Sequence, residues 1–213
     1  MENTEKYTIS LIKDLNVFFD VGAREDGIEF IELSPTTEFH FFEPHKAFAD
    51  SLSSSIPAEA KAVVNQYGLW NEKQDNAMFY TDVQSFIPHP FLISEFKGDV
   101  YNLRTLDWYM NTKKIKKIDF LKIDAEGADF KILEGAKKTI DSDRIRHIQF
   151  EYWDGVRKFY DLLNDKYNMY FIRDVKSLSP LTEEVISEID VERIRGGLGG
   201  DIFCVHKNES IIL

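Results

Sequence analysis

The stretch that most constrains this chain is Ile118 to Gly127, IDFLKIDAEG. Ile118, Phe120, Leu121 and Ile123 make a run apolar enough for a strand buried on both faces. Asp124 and Glu126 follow, and Gly127 lets the chain turn. Phe130, Leu133, Ala136 and Ile140 then recur at helical spacing, with charges on the other face. A strand that ends in carboxylates and a glycine and then enters a helix is the unit of an open parallel sheet. Ligands bind such sheets at the carboxyl ends of the strands.

The same grammar appears in VFFDVGAREDG, Val17 to Gly27. Strand-like runs cover Val17–Asp20, Glu38–Glu43, Ala62–Gln66, Ile118–Ile123 and Ile148–Tyr152. Lys46–Leu52 and Thr105–Met110 read as helices between them. This alternation predicts an α/β fold with a doubly wound, mostly parallel sheet. Further on, Asn168–Ile172 and Ile202–His206 read as strands, separated by an acidic helical pattern (Glu183–Arg193) and a glycine loop. A terminal hairpin of this kind adds an antiparallel strand.

With 213 residues, 43% of them hydrophobic, the chain has the size of one domain with a substantial core. Its net charge of −11 argues against a nucleic-acid partner or an anionic membrane surface. The lysines at 113, 114, 116 and 117 read as a solvated helix end and linker. The single cysteine, Cys204, lies in an apolar run and reads as a small buried hydrophobe. The N-terminal segment lacks an apolar core of signal-peptide type, and no run approaches ~18 apolar residues. The expectation is a soluble, cytoplasmic protein. Ser85–Gly98 combines Pro88 and Pro90 with large apolar residues, Phe86, Phe91, Leu92, Ile93 and Phe96 among them. It reads either as a lid over a pocket or as a loop pinned to the core.

The acids sort into two groups. Asp20 closes the first strand, and Gly22 and Gly27 frame a loop through Ala23 and Arg24 that lets backbone approach a ligand closely. The G-x-G-x-x-G of a dinucleotide site is missing. Three acids (Asp20, Glu25, Asp26) beside that loop suit a cationic sulfonium and ammonium ligand better than a pyrophosphate. Glu43, closing the second strand before Pro44, stands where an acid accepts ribose hydroxyls. Gly68 and Leu69 follow the third strand, where a base would lie. Arg24 either holds a ligand carboxylate or is a surface residue.

In the second group, Lys122, Asp124 and Glu126 share strand parity. They either converge on one site, tuning one another's protonation and taking a proton from an acceptor hydroxyl, or form a structural ion pair. Glu151, Tyr152 and Trp153 at the fifth strand's end either meet the substrate or pack the core. Asp124, Glu126 and Glu151 could hold a divalent cation, but no metal is expected. His45, His89 and His147 read as isolated polar residues rather than ligands.

The blocks FFDVGA, FFEPH, TLDWYM, IDFLKIDAEGADFKILEGA, QFEYW and GDIFCVHK resemble the FkbM family of S-adenosylmethionine-dependent methyltransferases, over roughly Phe18–Lys207. The resemblance implies a seven-stranded class I methyltransferase fold with its last strand antiparallel. It also implies O-methylation of a hydroxyl on a saccharide or other small polyhydroxylated product. It assigns Asp20, Gly22 and Glu43 to the cofactor and Lys122, Asp124 and Glu126 to the transferred methyl. Asp107 of TLDWYM is expected to organise the following helix. The first loop departs from the family pattern, with Arg24 in place of Asn and Gly27 one residue late. Residues 85–98 and 153–200 are left to recognise the acceptor. A nicotinamide-dependent oxidoreductase and a non-catalytic scaffold on the same fold are the competing readings.

Overall fold

A computed structural model describes residues 4–80, 98–152, 155–174, 177–194 and 200–212. Its centre is one sheet of eight strands. Five are parallel: β1 (Val17–Val21), β2 (Glu38–Phe42), β3 (Ala62–Asn65), β7 (Ile118–Ile123) and β8 (Ile145–Tyr152). They lie in the order β3, β2, β1, β7, β8. Beyond β8 come β11 (Gly200–His206), antiparallel to it, then β9 (Tyr167–Asp174) and β10 (Ser177–Pro180). The doubly wound sheet with an antiparallel final strand is therefore present. It has one strand more than the resemblance implies, because β10 extends the edge by a short hairpin with β9.

Side-chain parity explains why both faces are covered. In β1, Phe18 points to one face and Phe19 and Val21 to the other; in β7, Phe120 and Leu121 divide the same way. The Phe18 face packs against α1 (Thr4–Ser10), α2 (Ile28–Leu33) and α3 (Lys46–Ser55), with the Phe18 ring 5.1 Å from Phe30 and 5.0 Å from Phe120. The opposite face carries α4 (Leu106–Lys113), α5 (Asp129–Glu134), α6 (Lys137–Asp141), α7 (Arg157–Leu163) and α8 (Glu183–Ile194). Strands buried on both sides read as continuous apolar runs for this reason.

The helix predicted to follow the LKIDAEG block is two short ones. At Gly135, between the two, a Cβ would lie 2.0 Å from the carbonyl oxygen of Trp70, so glycine alone admits this backbone contact. The new N-terminus at α6 is capped by Asp107, whose carboxylate accepts the Lys138 and Thr139 amides at 3.0 and 2.8 Å and the Thr139 hydroxyl at 2.6 Å. Asp107 thus organises a helix from a distance of about thirty residues in sequence.

A second sheet of three strands was not legible in the sequence. β4 (Gly68–Leu69) pairs in parallel with β6 (Gly98–Arg104), which pairs antiparallel with β5 (Gln74–Tyr80). Of the stretch read as a lid, residues 85–97 lie outside the described ones. The stretch read as a substrate-side insert, 153–200, contributes α7, β9, β10 and α8. These close the edge of the main sheet and cover one face of it. Cys204 is buried, and Lys113, Lys114, Lys116 and Lys117 are exposed. Among the described residues, no helix is long and apolar enough to cross a membrane.

Candidate active site

The ends of β1 and β7 are fitted together by backbone. The Asp124 amide donates to the Val21 carbonyl at 2.9 Å, and the Gly22 amide donates to Phe42 O at 3.0 Å. Gly22 has φ +81°, and a Cβ there would lie 1.9 Å from the Asp124 carbonyl oxygen. Only glycine permits both the left-handed turn and this contact. The two acid-bearing loops therefore meet at Gly22, beside a cavity of about 350 Å³.

Glu43 holds the second wall. Its side chain is buried, and its carboxylate accepts the Arg24 amide at 3.0 Å and the His45 amide at 2.7 Å. Burial raises its pKa above the usual carboxylate range, against those two hydrogen bonds. Arg24 itself takes a left-handed φ of +47°, and its guanidinium lies 5.3 Å from the Phe48 ring centre. Pro44, His45 and Phe48 continue this wall, with the His45 ring 4.7 Å from Phe48. Gly68 and Leu69 of β4 line the next side, close to Pro44 and Leu103.

On the opposite side, Asp124, Ala125 and Glu126 line the cavity together with Ala128 and Ile132. Asp124 is 44% exposed in its side chain. Glu126 has φ +51°, a conformation that costs a non-glycine residue about 1–2 kcal/mol. Its pKa is raised, first by burial and then by the Asp124 carboxylate, with Arg24 opposing. A carboxylate of this kind is suited to accepting a proton.

Lys122 lies near Asp124 but, unlike the two acids, does not line the cavity. Strand geometry ends at Ile123, so the parity that grouped the three residues does not extend to Glu126. Lys122 instead faces the α1–α2 side with Asp20, its register partner across β1 and β7. Its Nζ lies 2.9 Å from Asp20 Oδ1 and 3.7 Å from Asp124 Oδ2, with the two paired side chains 8% and 1% exposed. Burial works against the lysine charge, but the Asp20 and Asp124 carboxylates outweigh it and hold the ammonium above the usual lysine range.

Seven of the residues read as cofactor contacts line the cavity: Gly22, Arg24, Glu43, Pro44, Gly68, Leu69 and Asp124. Asp20 and Ala23 lie behind it, the first in the ion pair and the second in the apolar layer with Phe18. Of the residues read as substrate contacts, Glu151 and Tyr152 are not in the lining. Tyr152 is buried in the core with Phe150 and Phe171, and the Glu151 amide donates to Asp129 at 3.3 Å. Trp153 lies outside the described residues. Glu151 therefore does not join Asp124 and Glu126 in a cation site. Among the described residues no group of three or more His, Cys, Asp or Glu is arranged to hold a metal.

The lining also contains His45, read from the sequence as an isolated polar residue, and Phe48, Trp70, Phe79, Asp99, Tyr101 and Leu103, which the sequence did not single out. His45 had a signal, since it follows Glu43 directly in FFEPH. Those on the small sheet had none.

Comparison with known proteins places this geometry in a family. The model of the methyltransferase FkbM domain matches residues 20–188. Three solved structures share the fold. Methyltransferase FkbM from Methylobacillus flagellatus is 12% identical with a TM-score of 0.52, over 95% of this chain and 50% of its own. An rRNA methylase from Streptococcus thermophilus is 11% identical with a TM-score of 0.52, over 95% and 93%. TrmK of M. capricolum, bound to S-adenosyl-homocysteine, is 11% identical with a TM-score of 0.50, over 97% and 68%. This chain thus spans half the length of the Methylobacillus protein. No curated protein matches it. The family match covers both loops that meet at Gly22 and the acids beside them, and the chain belongs to the FkbM methyltransferase domain family.

Proposed function

We propose that this protein is an S-adenosylmethionine-dependent O-methyltransferase whose acceptor is a hydroxyl on a saccharide or another small polyhydroxylated molecule. The observation that carries the reading is the convergence, on one cavity, of the close-packed Gly22 turn, the buried Glu43 and the Asp124–Glu126 pair. A cavity of about 350 Å³ is within the range of small-molecule and cofactor sites. The glycine gives close backbone approach, Glu43 offers acceptor oxygens for a ribose, and Asp124 suits an ammonium. Arg24 lies on the same wall and suits a carboxylate. The residues present fit the cofactor.

When bound, S-adenosylmethionine supplies an electrophilic methyl group on a sulfonium. The chain's own contribution is position and proton transfer. Asp124 and Glu126 would hold the acceptor hydroxyl, and Glu126 would take its proton as the bound group supplies the methyl. In-line displacement gains most of its rate from such positioning. Lys122 acts from behind, fixing Asp20 and steadying Asp124.

The test is methyl transfer from labelled S-adenosylmethionine to a panel of glycans and small hydroxyl compounds, with Asp124→Asn and Glu126→Gln. Glu126→Gln should lower turnover roughly 100-fold or more while sparing S-adenosylhomocysteine affinity. Wild-type turnover in both variants would refute the assigned roles.

A further inference from the structure

Asp129 is the buried acid that the reading above leaves without a role. It opens α5 and is 1% exposed. An acid at a helix start gains from the helix dipole without leaving water. Burying one is costly unless its oxygens are hydrogen-bonded. Asp129 finds these partners outside its own helix. Its Oδ2 accepts from the Gly127 amide and its Oδ1 from the Glu151 amide, both at 3.3 Å. The first amide belongs to the peptide that follows Glu126, and the second lies near the end of β8. A single carboxylate therefore ties the turn after β7 to the neighbouring strand.

That turn is strained. The Ala128 amide closes it onto Ala125 O at 3.0 Å. Its two central residues, Glu126 and Gly127, have φ +51° and +98°. Turns with both central residues left-handed favour Asn or Gly at the first position, and here that position holds a glutamate. A residue in such a conformation persists only where its surroundings hold it. Upstream, the Asp124 amide is anchored to Val21 O at 2.9 Å. Inside the turn, Asp129 holds the Gly127 N–H, which lies in the peptide plane between the two strained residues. Fixing that plane fixes the backbone of Glu126, and with it the direction from which its side chain enters the cavity.

We propose that Asp129 is a positioning residue for methyl transfer: by holding the Gly127 and Glu151 amides together, it keeps Glu126 in its left-handed turn and aims the Glu126 carboxylate into the cavity. The proposal rests on the reading of Glu126 as proton acceptor and names what holds that group in place. An acid that served only the start of α5 would stabilise the helix and have no energetic coupling to the strain at Glu126.

Thermal melts of the full chain test this without an acceptor, at pH 8, above the value of about 7 to which burial raises Asp129. Glu126→Gly relieves the left-handed strain and should raise the melting temperature by about 2–4 °C in the wild-type background. In Asp129→Ala, where the turn is released, the same substitution should raise it by less than about 1 °C. Asp129→Asn keeps one acceptor and should lie between. Equal increments in all backgrounds overturn the proposal. In the wild-type chain, the Gly127 and Glu151 amides should exchange with deuterium oxide roughly 100-fold or more slowly than in an unfolded chain. Unprotected exchange at either amide overturns the bridge whatever the variants do. Methyl transfer to a hydroxyl compound from the panel above then separates the two readings. Asp129→Asn should lower kcat with little change in acceptor KM, and should cost nothing further in Glu126→Gln. Wild-type turnover in Glu126→Gln overturns the proton-acceptor reading and the proposal with it. A full, independent loss from Asp129→Asn in the Glu126→Gln background overturns the proposal alone.

Discussion

Gly22→Ala is the substitution for which the structure predicts most. The new Cβ would sit 1.9 Å from the Asp124 carbonyl oxygen, whereas real Cβ atoms almost never come within 3.0 Å of another heavy atom. The two loops must therefore part by about 1 Å (3.0 − 1.9). Holding alanine at φ +81° costs about 1–2 kcal/mol. Parting the loops weakens the Gly22-to-Phe42 and Asp124-to-Val21 hydrogen bonds, at about 1 kcal/mol each. The sum, about 3–4 kcal/mol, is a large part of a typical stability of about 5–15 kcal/mol but does not exceed it. The variant should fold, with a lowered urea midpoint. A displacement of this size beside the ligand should also cost roughly 100-fold in cofactor affinity or turnover. Urea unfolding followed by circular dichroism gives the first quantity and calorimetry with S-adenosylhomocysteine the second. A Gly22→Ala protein with wild-type midpoint and affinity would show that the loops are not fitted together as described.

Three other perturbations follow from particular contacts. Glu43→Gln keeps one acceptor and sets an amide donor against the Arg24 or His45 N–H, so it should cost about 1–3 kcal/mol in urea unfolding and weaken S-adenosylhomocysteine binding in calorimetry. Lys122→Met leaves Asp20 buried without its cation and should destabilise by about 3–5 kcal/mol. Adding Asp20→Asn should recover part of that loss in thermal melts, and a double variant worse than Lys122→Met would argue against the pair. Asp129 is buried at the start of α5, which raises its pKa from 3.8 to about 7. An acid with a raised folded-state pKa holds an extra proton in the native state between those values. Its contribution to stability is therefore present at low pH and is lost as pH rises from about 4 to about 7. Asp129→Asn should flatten that part of a urea-midpoint profile, and an unchanged slope would assign it to other groups.

What could be read from the sequence, and what could not, follows from where each signal originates. β1, β2, β7 and β8 were legible because burial on both faces makes them continuous apolar runs. That Gly22, Glu43 and Asp124 line one cavity was legible because they stand at strand ends of a parallel sheet. β5 and β6 were not. QDNAMFY and GDVYNLR pair one exposed face with a face that looks into a cavity, which gives no clean alternation. The close contact of Gly135 with the Trp70 carbonyl, between α5 and α6, is long-range and could not be inferred locally. The grouping of Lys122 with Glu126 assumed extended backbone beyond Ile123, where the chain instead turns left-handed at Glu126. Within 153–200, the stretch left for acceptor recognition, Phe159, Leu163, Tyr167, Met169 and Ile172 are buried, and the described strands complete the sheet.

The central claim is that the cavity between Gly22, Glu43 and Asp124 is a site for S-adenosylmethionine. Calorimetric titration of the wild-type chain with S-adenosylhomocysteine, with NAD as the control, tests it most directly. The account predicts micromolar, one-to-one binding of S-adenosylhomocysteine and no heat from NAD. Binding of NAD without S-adenosylhomocysteine, or of neither, would contradict it.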